Sequence, residues 1–236
     1  MYTFDSRVRY SETGEKGLLS MTGIVNYFQD ASTFQSEDLG AGVELVSGLG
    51  VVWVLNSWQI LVHEWPKLGD RIVVGTFPTF FKGFMGHRNF FMEDTDGRRL
   101  AEANSIWTLL DIKKGVPVRV PAEISDKYEL FPPLPMEAAP RKIAVPEGGS
   151  TREAFAVCRQ HLDGNHHVNN GQYIAMAAEY LPENFQIRQM RAEYRKQALL
   201  HDMVIPQVVG SEGKITVSLN AADGTAYAVV EFTDAV

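Results

Sequence analysis

The chain has 236 residues, enough for one large domain or two small ones with a real core. It is 45% hydrophobic and 22% charged, as ordinary globular proteins are; a net charge of −7 without a long basic stripe argues against a nucleic-acid binder, and the single cysteine, Cys158, excludes an internal disulfide or a cysteine-rich zinc site. No run of about 18 apolar residues suggests a membrane span, and the opening Met1 to Arg7 lacks the apolar core of a signal peptide, so a cytoplasmic location is expected.

Residues 3–10 alternate as a strand, and 11–17 carry turn chemistry. From Ser20 the period becomes helical, with Ile24, Tyr27, Phe28, Ala31 and Phe34 on one apolar stripe that ends near Leu39 and Gly40. A connector spaced by Gly40, Gly42, Gly48 and Gly50 leads to four strand-like runs at about 51–64, 70–80, 86–94 and 99–112. The segment 115–150 carries Pro117, Pro121, Pro132, Pro133, Pro135, Pro140 and Pro146, which bar a central strand and predict a linker with a short helical piece near 121–129.

The order then begins again: a strand at 152–160, a helix at 169–181, and strands at about 187–197, 202–210, 213–220 and 225–233. Aligned by landmarks, Tyr27 meets Tyr173 at an offset of 146, Gly69-Asp70 meets His201-Asp202 at 132, and Asp96-Gly97 meets Asp223-Gly224 at 127, so the gaps fall in loops. A helix stripe and one face of a twisted antiparallel sheet can cover each other. The expected architecture is therefore α+β, with two tandem modules, each a long helix packed against such a sheet: 1–114, a linker over 115–150, and 151–236.

The most chemically loaded stretch runs from His161 to Asn170, with Asp163, Asn165, His166 and His167 just ahead of the second helix. Asp163, Asn165 and His167 stand at i, i+2 and i+4, so an extended loop would project them to one side. His167 suits a base or donor near neutral pH, Asp163 could fix its tautomer or act on a water, and Asn165 could hold a water or a carbonyl oxygen. Backbone N–H groups near Val168 to Asn170 could complete an oxyanion site. A plainer reading has Asp and Asn capping the helix, with Asp163-Gly164 as an ordinary turn. A metal held by His161, Asp163, His166 and His167 would lack the spacing of known sites, so no metal is expected. Cys158 sits in an alternating strand, where a free cysteine behaves as a small core residue. By the landmark alignment the first-half counterpart of Asp163 to His167 is Leu18-Leu19-Ser20-Met21-Thr22 or close to it, with no acid or imidazole, so one half alone carries the cluster.

The pattern Asp-x-Asn-x-His-Val-Asn-Asn-x-x-Tyr, met by Asp163, Asn165, His167, Val168, Asn169, Asn170 and Tyr173, resembles the signature of the acyl-ACP thioesterases, the plant and bacterial enzymes that end fatty-acid synthesis. The stretch Ala192 to Ala198 is similar to their second motif, a Glu-Tyr-Arg-Arg-Glu-Cys-like strand. The resemblance extends over nearly the whole chain in the order of its elements. It implies two tandem hotdog folds, hydrolysis of fatty acyl-ACP by water without a cofactor, an acyl carrier protein as partner, and a homodimer. Asp163, Asn165 and His167 would be the catalytic centre. The plant enzymes place an acid and a cysteine, both proposed for catalysis, where this chain has Gln197 and Ala198. A nucleophilic cysteine is thus excluded there, Gln197 is left to orient a water, and the carboxylate role falls to Asp163.

The resemblance also implies that the N-terminal half shapes chain-length choice. Ile24, Phe28 and Ser32 on its helix and Val52, Val54 and Asn56 on the facing strand are the candidate pocket residues. For the acidic carrier, Arg188, Arg191, Arg195 and Lys196 on one strand, with Lys82 and Arg88 on a loop, are candidates for a basic patch. Two other readings stay open: an acyl-CoA thioesterase on the same scaffold, and a hotdog protein that binds an acyl ligand without turning it over.

Overall fold

The computed structural model describes residues 1–235. Two compact units divide the chain, Met1–Asn56 with Val62–Ala139, and Ser57–Leu61 with the residues from Pro140 onward.

In the first unit, β1 (Tyr2–Arg7), β3 (Arg71–Lys82), β4 (Met85–Asp94), β5 (Arg99–Asp111) and β2 (Val51–Val62) follow one another in that order across an antiparallel sheet. Helix α1 (Met21–Asp38) is started by Ser20, whose hydroxyl accepts the Gly23 N–H at 3.0 Å. Its stripe is buried as expected at Ile24, Tyr27, Phe28 and Ala31, with the Phe28 and Phe90 rings 5.3 Å apart. Phe34 is 43% exposed and meets Phe4 edge-on. The glycine-spaced connector holds a six-residue helix, α2 (Val43–Gly48), too short for periodicity to reveal. Val46 packs there with Leu109 and with Ile124 of α3 (Ala122–Ser125), the short helix expected near 121–129.

The second unit orders β8 (Ile187–Tyr194), β11 (Ala226–Asp234), β10 (Lys214–Asn220), β9 (Met203–Ser211) and β6 (Ser150–Thr151), and Ser57–Leu61 pair with β8. The strand expected at 152–160 is reduced to β7 (Phe155–Ala156), with Arg159–His161 in a 3-10 turn; β6 lies just before it, and both strands pair with β9. Helix α4 (Asn170–Ala178) has nine residues, shorter than the expected 169–181, and packs on β10 and β11.

The repeat is visible bond by bond. Val8 N–H to Asp70 O in the first unit answers to Val157 N–H to Asp202 O in the second; Leu19 N–H to Pro66 O answers to Val168 N–H to Ala198 O; His63 N–H to Leu100 O answers to Arg195 N–H to Tyr227 O. These matches keep the offsets 132 and 127 but replace 146 by 149, which pairs Ile24 with Tyr173 and Tyr27 with Met176. The counterpart of Asp163 to His167 is thus Gly14-Glu15-Lys16-Gly17-Leu18, not Leu18 to Thr22. Matching the two tyrosines by identity had slid the register by three residues, almost one helical turn. Backbone sterics agree with the new register: Gly17 (φ 68°) and His166 (φ 61°) both take the left-handed conformation.

Candidate active site

Residues 162–168 form a compact turn rather than the extended loop expected. Leu162 and Val168 bridge antiparallel, the Asp163 N–H donates to the His167 carbonyl at 2.8 Å, and the His166 N–H returns to the Asp163 carbonyl at 3.1 Å. Asp163 Oδ1 accepts the backbone N–H of Asn165 at 2.8 Å and of His167 at 3.2 Å. The carboxylate therefore organises the backbone under the imidazole and does not hold the ring itself, as sequence had suggested. Among the described residues, no protein hydrogen bond reaches Asp163 Oδ2 or the His167 ring; both residues are half-buried and Asn165 is exposed.

Two of the expected oxyanion donors, the Val168 and Asn169 N–H groups, are spent elsewhere. Val168 donates to the Ala198 carbonyl and Asn169 to the His161 carbonyl, while Asn169 Oδ1 caps the helix by accepting the Gly171 N–H at 2.8 Å. The plain capping role thus belongs to Asn169, outside the triad, whereas Asp163 serves the turn.

Ala198 ties the second motif to this loop. Its carbonyl accepts the Val168 N–H at 3.1 Å, and its own N–H donates to Tyr173 Oη at 2.9 Å. Gln197 is thereby set beside the loop, with an exposed side chain, while Ala198 is fully buried. Four residues before Ala198, at the end of β8, Tyr194 donates its hydroxyl to the Asn170 carbonyl at 3.0 Å. Burial pushes the Tyr173 phenol up to about 12 and raises that of Tyr194 well above its usual range, so both stay protonated near neutrality. Neither tyrosine stands out as a contributor in the sequence beyond lying within a motif.

The other candidates are distributed differently. Cys158 is exposed, and Val157 takes the core position instead. The Cys158 sulfur lies 3.5 Å from both His161 nitrogens, and His161 Nδ1 accepts the Cys158 N–H at 3.1 Å. Burial lowers the His161 pKa. Among the described residues no three His, Cys, Asp or Glu side chains converge as a metal ion would require.

In the first unit Ile24 and Phe28 are sealed in the core. Val51 and Trp53 pack against the cluster of Val46, Leu109 and Ile124. Alternation therefore turns Val52, Val54 and Asn56 to the opposite face, where Asn56 Oδ1 accepts the Thr108 hydroxyl at 2.6 Å. Ser32 bonds within its own helix. A cleft of about 440 Å³ in this unit is lined by Phe77, Phe91, Phe131 and Leu134 among others, and by none of these candidates.

The basic patch is largely committed. Arg191 holds Glu231 and the carbonyls of Pro140 and Lys142, and Arg195 bonds Glu193 and the Ile143 carbonyl, both at 2.8 Å. Arg88 is a buried residue of β4, not a loop, bonded to Gln35 and Thr76, and burial pulls its pKa down to about 10. Lys196 lies 3.6 Å from Asp223; Lys82 and Arg188 are exposed.

Two hotdog units, of which only the second carries an Asp-x-Asn-x-His turn braced against a neighbouring strand, define a tandem-hotdog protein with one polar centre. The chain belongs to the acyl-ACP thioesterase family: the family's sequence models match it at residues 1–128, described as the acyl-ACP thioesterase N-terminal domain, and at residues 146–228, described as the C-terminal domain. It is 26% identical to the acyl-[acyl-carrier-protein] hydrolase FATB1, chloroplastic, of Cuphea viscosissima over 92% of this chain and 58% of that protein. It is 23% identical to the oleoyl-acyl carrier protein thioesterase 2, chloroplastic, of Arabidopsis thaliana over 84% and 59%. The chain thus spans a little over half the length of the curated relatives it matches. Its fold is shared with an acyl-ACP thioesterase from Bacteroides thetaiotaomicron (TM-score 0.89, 21% identity, 98% of this chain and 96% of that one). It is also shared with the 12:0-ACP thioesterase from Umbellularia californica (0.84, 19%, 98% and 96%).

Proposed function

We propose that the protein hydrolyses the thioester of fatty acyl-ACP, releasing a free fatty acid and the carrier protein. The observation that carries this reading is membership of the acyl-ACP thioesterase family in both halves, together with a polar centre in the C-terminal half alone. Asp163, Asn165 and His167 form the centre, and Gln197 beside them orients the attacking water. His167 accepts a proton from that water as its oxygen bonds the thioester carbon; the C–S bond then breaks and the proton passes to the departing thiolate. The free Oδ2 of Asp163 supports the imidazolium or the water, while Oδ1 keeps the turn in place. The N-terminal half receives the acyl chain, with Val52, Val54 and Asn56 as the candidates left outside the sealed core that holds Ile24 and Phe28.

The acidic carrier protein is the partner in this reading, the chain is a homodimer, and the reaction runs in the cytoplasm. Among the described residues no helix is long and apolar enough to cross a membrane. A panel of acyl-ACP substrates from short to long chains, assayed for free acid release beside the matching acyl-CoA series, tests the reading. Release from acyl-CoA alone replaces ACP by CoA as carrier, and binding without release makes the protein an acyl-ligand binder.

A further inference from the structure

We propose that Tyr173 and Tyr194 form a reciprocal brace that positions the Asp163–His167 turn and Gln197 for the reaction, an inference that rests on the thioesterase reading above. Tyr173, on α4, accepts the backbone N–H of Ala198, which follows β8. Tyr194, on β8, donates to the backbone carbonyl of Asn170, the first residue of α4. Each element thus grips the backbone of the other through a phenol, and the two rings lie 5.9 Å apart. Because Ala198 also accepts the Val168 N–H, the chain of bonds runs from the helix through the second motif into the end of the catalytic turn.

The fold does not need this brace. In the first unit the counterparts are Ile24 and Val62, both buried and apolar, and the counterpart of Ala198 is Pro66, which has no N–H to satisfy. The equivalent of the Val168 bond, Leu19 N–H to the Pro66 carbonyl at 2.8 Å, forms there without any phenol. The same backbone arrangement therefore stands on an isoleucine, a valine and a proline in the unit that lacks the polar cluster. At the counterpart positions of the first unit neither phenol nor its hydrogen bond is present; Tyr27, about one turn further along α1, donates instead to the Arg7 carbonyl and to Glu12. A phenol held at its hydroxyl also fixes position more sharply than apolar packing, because a hydrogen bond is directional and burial is not.

The test is made on the full chain with Tyr173→Phe and Tyr194→Phe, each of which keeps the ring and deletes the bond. Acyl-ACP hydrolysis is measured well below the melting temperature, and hydrogen exchange is followed in a peptide covering 162–170. The brace predicts that each variant lowers kcat roughly tenfold or more with KM within about twofold, the pattern of a lost transition-state alignment, and that the double variant falls little further because the pair acts as a unit. It also predicts faster exchange in the turn. A purely structural role would lower the melting temperature and leave kcat in place; kcat within about twofold of wild type in both single variants, or exchange in the turn unchanged, overturns the brace. Should Tyr173→Phe fail to fold, Tyr194→Phe decides. A wild type that releases no fatty acid removes the thioesterase reading, and the exchange measurement then decides the brace alone.

Discussion

Asp163 Oδ1 lies 3.2 Å from the backbone nitrogen of His167 and accepts its N–H, so one carboxylate oxygen builds the turn while the other stays free. Two substitutions separate these roles. Asp163→Asn keeps an acceptor oxygen for the turn but removes the charge; kcat should fall by about two orders of magnitude or more, the usual share of a lost acid–base or charge-stabilising group, with the melting temperature nearly unchanged. Asp163→Ala loses both and should cost about 1 kcal/mol of stability besides, as loss of a capping acceptor does. Kinetics and thermal melts of the pair check this; equal activity in Asp163→Asn and wild type would leave Asp163 a turn residue only.

His166 sits at φ 61° where the other half has Gly17. The left-handed conformation costs a residue with a Cβ about 1 kcal/mol, partly offset by the entropy a glycine loses on folding. His166→Gly should therefore hold or raise stability by up to about 1 kcal/mol and leave kcat unchanged, since His166 takes no part in the proposed chemistry. Chemical denaturation and turnover report on this together. A lost activity would bring His166 into the site.

Glu193 is buried at 5% exposure and accepts the Ile143 N–H at 2.9 Å and an Arg195 N–H at 2.8 Å, while Arg195 holds the Ile143 carbonyl. Glu193→Ala leaves the buried Ile143 N–H without its acceptor and takes the carboxylate from Arg195, which keeps the Ile143 carbonyl; this should destabilise the chain by about 1–3 kcal/mol. Glu193→Gln, which keeps an acceptor, should cost less. Urea melts of the two rank them; an equal, small effect would mean that the segment at 140–143 is held by packing of Ile143 alone.

His87 stacks on Phe80 with ring centroids 4.0 Å apart, and burial lowers its pKa below the ordinary 6.5. The unfolded chain then binds its proton more readily than the folded one. The stability linked to His87 is therefore fully present above 6.5 and is lost as pH falls from there toward the depressed folded value. Melting temperatures recorded downward from pH 7 should drop less in His87→Gln than in wild type over that window; parallel curves would contradict the assignment.

Most elements were legible because their periods are long and clean. The α1 stripe, the four strands of each half and the two conserved turn offsets all come from patterns that one face of a sheet or helix must obey. The turn at 163–167 was legible as a cluster, but its geometry was not: five residues that could extend instead close on themselves through Asp163, a choice made by side-chain-to-backbone bonds that periodicity does not record. The register of the repeat failed for a similar reason. Tyr27 and Tyr173 look alike, yet the left-handed residues Gly17 and His166 and the bonds around them fix an offset of 149. Arg191 and Arg195 read as a patch for an acidic partner because a sequence shows charge without its partners. Their carboxylates and the carbonyls of 140–143 lie up to about fifty residues away.

In the proposed function the imidazole of His167 takes the proton from the water that cleaves acyl-ACP. The measurement that bears on it most directly is fatty-acid release from a saturating acyl-ACP by wild type and by His167→Ala at matched folding. The account predicts release by wild type and a fall of about two orders of magnitude or more in the variant. Full activity in His167→Ala, or no acid released by wild type from any chain length, would contradict it.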